Sequence, residues 1–219
     1  MNFLAHTEIS PFEASPWHYL GCIFPDLAKR AGVNFRSKQF LELEMQLPED
    51  FSKGIALHFE ADRLFHNSRL FESGLQIWKS LLRPESADLK RTFFLHHLVF
   101  EMWLDRLIMK ENQQSGLRFY DVLGGLDSDA LQAVFFPAFG SESEKLVSVF
   151  QQFMKRKFVL AYTEDSRFAE ISTGVFCFIT RQKQGLIRPS EIEEALERAI
   201  PYEAAAGSEW RDFKSFIRP

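Results

Sequence analysis

Cysteine is scarce in this chain: only Cys22 and Cys177 occur in 219 residues, and no C-x-x-C spacing is present. That excludes a zinc ribbon or a disulfide framework, and it leaves two buried thiols in a reducing compartment as the expectation. No uninterrupted apolar stretch approaches the ~20 residues needed to span a bilayer. The opening Met1-Asn2-Phe3-Leu4-Ala5-His6 has neither the basic nor the long apolar region of a secretory signal. A soluble cytoplasmic chain is therefore expected, with no membrane partner. Charge of one sign is also in short supply, since 26 basic against 30 acidic side chains give a net charge of -4. This balance argues against a protein whose main work is gripping a phosphate backbone, and aromatic residues do not interleave with basic ones in an RNA-binding pattern. Nucleic acid is not an expected partner.

What the chain has in quantity is phenylalanine, 24 residues, within a hydrophobic fraction of 46%. Inward-facing rings each bury a large area, so a sizeable core can form without crosslinks. The length suits one large domain, residues 1–219. Most segments carry a helical period and none alternates apolar with polar residues, which predicts an all-α fold, a single multi-helix domain. Helices are expected at Trp17–Phe24, ended or kinked by Pro25, and at Lys38–Gln46. A long one follows from Phe51 to Phe71. The most apolar runs from a Ser86 cap to Lys110 and stops in an Asn112–Gly116 loop. Others are expected at Ser128–Phe136, Ser141–Tyr162, Asp165–Gln184, Pro189–Ala199 and Glu209–Ile217.

Two polar stripes stand out. His58, Asp62 and His66 follow one another at i, i+4 and i+8, and each step rotates only about 40° around a helix, so all three share a face. Arg69 falls about 20° from His58 on the same wheel. The second long helix repeats the arrangement with His97, Glu101 and Asp105, set among Phe93, Phe94, Leu98, Phe100, Met102, Leu104 and Leu107. His96 projects about 100° away and is expected to be solvated.

Imidazole and carboxylate groups on a buried helical face cost several kcal/mol unless paired with one another or bound to a cation. Two such helices facing each other hold metal ions in helical bundles, with ligands projecting inward from consecutive turns. His58, Asp62, His97 and Glu101 are the leading ligand candidates here, with His66 and Asp105 next. Mixed nitrogen and oxygen donors suit Mn, Fe or Zn rather than Ca. Three readings fit the stripes: a metal-dependent hydrolase, a helical metalloprotein with other chemistry, and a non-enzymatic scaffold whose stripes form a buried polar network.

The hexapeptide Met1 to His6, the run Gly21 to Asp26, and Gly54-Ile55-x-x-His58-x-x-x-Asp62 together resemble the acyl carrier protein phosphodiesterase family. That family is similar to the HD-domain metal-dependent phosphohydrolases. The resemblance covers roughly the first half of the chain. It implies an all-helical HD-like fold and a divalent metal, commonly manganese. It also implies hydrolysis of the phosphodiester that joins 4'-phosphopantetheine to acyl carrier protein. His6, Asp26, His58 and Asp62 match family positions. The chain departs from the family pattern at Phe59, where an Arg is usual, and at His66, where an Asp is usual. It departs again over His97 to Met102, in place of Asp-x-x-Tyr-Asp-His.

A bound divalent ion would make such residues fit for phosphoester cleavage. Asp26 would serve as ligand or general base, His6 as ligand, Asp62 as ligand and catalytic residue, and Arg69 or Lys29 would hold non-bridging oxygens. Asp26 read alone equally suits a cap or turn, and His6 a core histidine. The basic clusters Lys29-Arg30 with Arg36 and Lys38, and Lys155-Arg156-Lys157, suit either contact with an acidic carrier protein or an ordinary solvated face.

Overall fold

The computed structural model describes residues 1–11, 14–83, 89–181 and 187–217. Among these residues the fold is all-α, with twelve α-helices, four short 3-10 segments and no strand. In chain order the helices are α1 (Phe3–Glu8), α2 (Pro16–Arg30), α3 (Ser37–Leu43), α4 (Glu49–His66), α5 (Arg69–Leu81) and α6 (Leu89–Glu111). They continue with α7 (Gln113–Leu123), α8 (Ser128–Phe139), α9 (Ser143–Arg156), α10 (Asp165–Thr180), α11 (Pro189–Ala199) and α12 (Glu203–Ile217). No described helix is long and apolar enough to cross a membrane.

The chain gathers into two compact units, each assembled from separated stretches. The first comprises Met1–Asn2, Leu64–Gln113 and Phe158–Pro219, and the second Phe3–Arg63 and Gln114–Lys157. In the second unit Phe24 of α2 is an aromatic hub, with ring centroids 5.0 Å from Phe35 and Phe51 and 5.3 Å from Phe135 and Phe139. Close to this hub α2 and α4 touch backbone to backbone. A Cβ placed on Gly21 would stand 2.3 Å from the Phe51 carbonyl oxygen and 2.8 Å from Gly54 Cα. Only a residue without a side chain lets two helices approach so closely. In the first unit Phe65 packs against Phe71, Phe100 and Phe213, and Trp78 meets Trp103 edge-on at 5.7 Å. The phenylalanine excess thus supplies the core of each unit.

Several boundaries differ from the expectation, each for a local reason. Ser15 caps α2 by accepting from the His18 N–H, and the helix then runs through Pro25 to Arg30. Pro25 removes one helical N–H, but Leu20, Ile23, Phe24 and Leu27 are buried on both sides of it and hold the helix together. Asp26 is consequently a helical residue and not a cap at a break. The helix expected from Phe51 to Phe71 is two helices, because Ser68 accepts from the Phe71 N–H and starts α5. Its own hydroxyl donates to the Phe65 carbonyl in the last turn of α4.

The stretch expected as one helix over Ser141–Tyr162 breaks at Lys157, where φ is 43°. A 3-10 segment, Phe158–Thr163, follows. The Asn112–Gly116 loop is a single-residue join into α7, and α12 starts at Glu203, ahead of the expected Glu209. Helix α11 spans Pro189–Ala199 as expected. The short α1 carries too few turns to show a period and was not anticipated. The Ser86 cap and the end of the expected helix at Gln184 lie outside the described residues.

Candidate metal centres

The polar residues of the stripes do not form one set. Two groups among the described residues bring three ligand atoms within 4.8 Å of one another: His6, Asp26 and His58 in the second unit, and His66, His97 and Glu101 in the first. His58 and His66 ride the same helix, α4, yet belong to different groups. Of the expected quartet, His58 falls in one group and His97 and Glu101 in the other, while Asp62 is in neither.

In the second unit the ligands come from three helices. α1 supplies His6, α2 supplies Asp26 and α4 supplies His58. The hydrogen bond between His58 Nδ1 and the Cys22 carbonyl is 2.8 Å long. A carbonyl only accepts, so Nδ1 carries the proton and Nε2 presents a lone pair. Metal-binding histidines are oriented by this kind of outer contact. The close approach of Gly21 and Gly54 sets it up, because it brings the backbone of α2 within reach of a side chain on α4. The His6 and His58 rings stack with centroids 4.0 Å apart and planes 21° apart.

His6 is the anomaly of this group. It is 0% exposed, and neither ring nitrogen has a hydrogen-bond partner. Nε2 lies 3.4 Å from Asp62 Oδ1, within ion-pair range but outside hydrogen-bond geometry. Burial, and after it the neighbouring His58, pushes the His6 imidazole down from 6.5 to about 3, against the opposite pull of Asp62. It is therefore neutral at physiological pH. Burying an unsatisfied polar group costs about 1–3 kcal/mol, and a cation beside the ring would offset it for the nitrogen that carries the lone pair. Asp62 itself is one-third exposed. Burial would raise its carboxyl, but the contact with His6 helps to hold it well below the usual carboxylate range.

The first unit's group is closely spaced. His66 Nε2 lies 3.0 Å from His97 Nε2, and His97 Nε2 lies 2.8 Å from Glu101 Oε1. His66 Nε2 is 3.5 Å from the same oxygen. The Met1 amino group also reaches Oε1, at 2.9 Å. Burial would raise the Glu101 carboxyl, yet that amino group and the two histidines hold it well below its ordinary value. Phe71 walls the group, with its ring 4.7 Å from His66 and 5.0 Å from His97.

The remaining candidates lie elsewhere. Arg69 opens α5 instead of extending the α4 stripe; its side chain is 90% exposed and pairs with Glu209 at 3.6 Å. Asp105 is fully buried and belongs to neither group. Lys29 and the Lys155–Lys157 cluster are exposed. His96 corrects the expectation that it is solvated: it is 4% exposed and its Nε2 donates to the Leu82 carbonyl at 2.6 Å. A helical wheel assigns a direction to His96, but α5 ends beside it and covers that direction. The orienting carbonyl of Cys22 was not legible in the sequence, because a backbone atom has no residue signature.

Comparisons of this chain with protein-family models, with curated proteins and with solved structures find no match. The fold and the two groups define an all-α chain carrying two clusters of two histidines and a carboxylate, each able to hold a metal ion.

Proposed function

We propose that this chain is a divalent-metal-dependent phosphodiester hydrolase whose metal is held by His6, Asp26 and His58. One observation carries the reading: His6 is wholly buried with neither ring nitrogen hydrogen-bonded, next to two further ligand atoms. The donor set of two imidazoles and a carboxylate suits Mn, Fe or Zn, with manganese favoured by the family resemblance. When bound, such an ion supplies Lewis acidity toward a phosphoryl oxygen and lowers the pKa of water.

The chain's own groups account for the rest. The Cys22 carbonyl fixes the His58 ring and leaves Nε2 as the nitrogen free to offer a lone pair to an ion. His6, kept neutral by burial, offers a lone pair at any pH near neutrality. Asp62, kept ionised, is too weak a base to carry the reaction's proton at neutral pH. Its role is to accept a hydrogen bond at Oδ and so orient a water. The phosphodiester of 4'-phosphopantetheine on acyl carrier protein is the substrate that the resemblance favours. The exposed Lys29 at the end of α2 would face an acidic carrier protein.

The test compares wild type with a His58→Ala, Asp62→Ala double variant for metal content by elemental mass spectrometry. Turnover is then measured on bis(p-nitrophenyl) phosphate and on holo acyl carrier protein with added Mn²⁺. Near-stoichiometric metal and metal-dependent turnover, both lost in the variant, are expected. Wild-type protein that binds no ion, or that binds iron and consumes oxygen without cleaving either diester, overturns the reading.

A further inference from the structure

The group formed by His66, His97 and Glu101 in the first unit presents a proton-counting conflict. Each Nε2 carries either one proton or one lone pair, and a carboxylate oxygen only accepts. If His97 donates to Glu101 across 2.8 Å, its single proton is spent, and the 3.0 Å contact with His66 shares that proton or opposes two N–H groups. If His66 donates to His97 instead, the 2.8 Å approach sets the His97 lone pair against the carboxylate. The Met1 amino group satisfies one lone pair of Oε1 without relieving the histidine pair. No assignment of single protons serves all three edges well. A cation at their centre serves them together.

The edge lengths fit that centre. With ligand bonds of about 2.1 Å, adjacent donors stand about 3.0 Å apart in an octahedron and about 3.4 Å apart in a tetrahedron. The three observed edges are 2.8, 3.0 and 3.5 Å. The side chains are 32%, 23% and 16% exposed for His66, His97 and Glu101, so solvent reaches this group. An ion here keeps open coordination positions, as catalytic or exchangeable sites do and closed structural sites do not. Two imidazoles disfavour the hard, oxygen-seeking Ca²⁺ and Mg²⁺.

We propose that His66, His97 and Glu101 form a second, open site for a first-row divalent transition-metal ion of the Zn²⁺ and Co²⁺ type. It is separate from the centre at His6, Asp26 and His58 and does not rest on the hydrolase reading. His66 and Glu101 stand on different helices, α4 and α6, with His97 one turn before Glu101.

The experiment uses the full chain stripped with a chelator and titrated with Co²⁺, read by visible absorbance and by calorimetric stoichiometry. Wild type is expected to bind two ions. Glu101→Gln, and separately His66→Ala with His97→Ala, lose one ion or bind it at least tenfold more weakly, and retain the ion that His58→Ala removes. Unchanged two-ion binding in those variants, or a wild-type chain whose only ion disappears with His58→Ala, overturns the proposal. An ion lost in Glu101→Gln but indifferent to His58→Ala supports this site even where the hydrolase reading fails. Should the variants not fold, the wild-type chain decides alone: assigned ring resonances of His66 and His97 shift within two equivalents of Zn²⁺, and signals that stay unmoved refute the site.

Discussion

Replacing Gly54 by Ala tests the helix contact that assembles the second unit's metal group. The new Cβ would stand 2.2 Å from the His18 carbonyl oxygen, 2.9 Å from Gly21 Cα and 3.0 Å from the Cys22 nitrogen. All three are backbone atoms, so no side chain can swing aside. Ordinary contact begins at 3.4 Å, so α2 and α4 must part by about 1 Å in an interior packed like a crystal. Overpacking of this kind costs about 1–3 kcal/mol, and rigid neighbours place it at the upper end. The parted helices also strain the 2.8 Å bond from His58 to the Cys22 carbonyl, worth about 1 kcal/mol. Against this, alanine gains about 1 kcal/mol of helix propensity over glycine. A net loss of about 3 kcal/mol is expected in urea unfolding of the metal-free chain, with at least tenfold weaker binding of the ion at His6, Asp26 and His58. Gly174→Ala in α10 is the control, because nothing lies within 4 Å of its Cβ position. There propensity acts alone, and the variant should be stabilised by about 1 kcal/mol. A Gly54→Ala chain as stable as wild type, with undiminished metal affinity, would refute the argument.

Acid should destabilise the metal-free chain through His6. Its native pKa of about 3 lies below 6.5, so the unfolded chain takes up a proton that the native chain refuses, and stability falls as pH drops below 6.5. The loss from His6 is about 1.4 kcal/mol per pH unit, and His18 and His96, also lowered by burial, act with the same sign. In urea titrations between pH 6.5 and 4.5, His6→Asn should show a slope shallower by that amount; an unchanged slope counts against neutral burial of His6. The thiol of Cys22 is pushed up to about 12 by burial, so mass spectrometry after brief alkylation at neutral pH should find Cys177 modified and Cys22 intact. Ser68→Ala removes the α5 cap and should cost about 1 kcal/mol in thermal unfolding, since the Phe71 N–H loses its acceptor. Arg69→Ala, at a side chain 90% exposed, should change stability by under about 0.5 kcal/mol.

Periodicity alone was enough to determine the all-α class, because a repeat of 3.6 residues follows from local backbone geometry. It located α11 to the residue, where Pro189 sets the start. It also put His58, Asp62 and His66 on one helix and His97, Glu101 and Asp105 on another. Spacing could not decide which of these residues meet. Asp26 joins His58 because Gly21 and Gly54 let α2 lie directly on α4, and α1 adds His6, while His66 turns to His97 and Glu101. The end of the expected long helix rested on one hydroxyl, Ser68, and the burial of His96 on the carbonyl of Leu82. A helical period dictates which residues share a face. Which faces meet depends on contacts between residues far apart in sequence, and in this chain those contacts place His58 and His66 of one apparent polar stripe in two different ligand clusters.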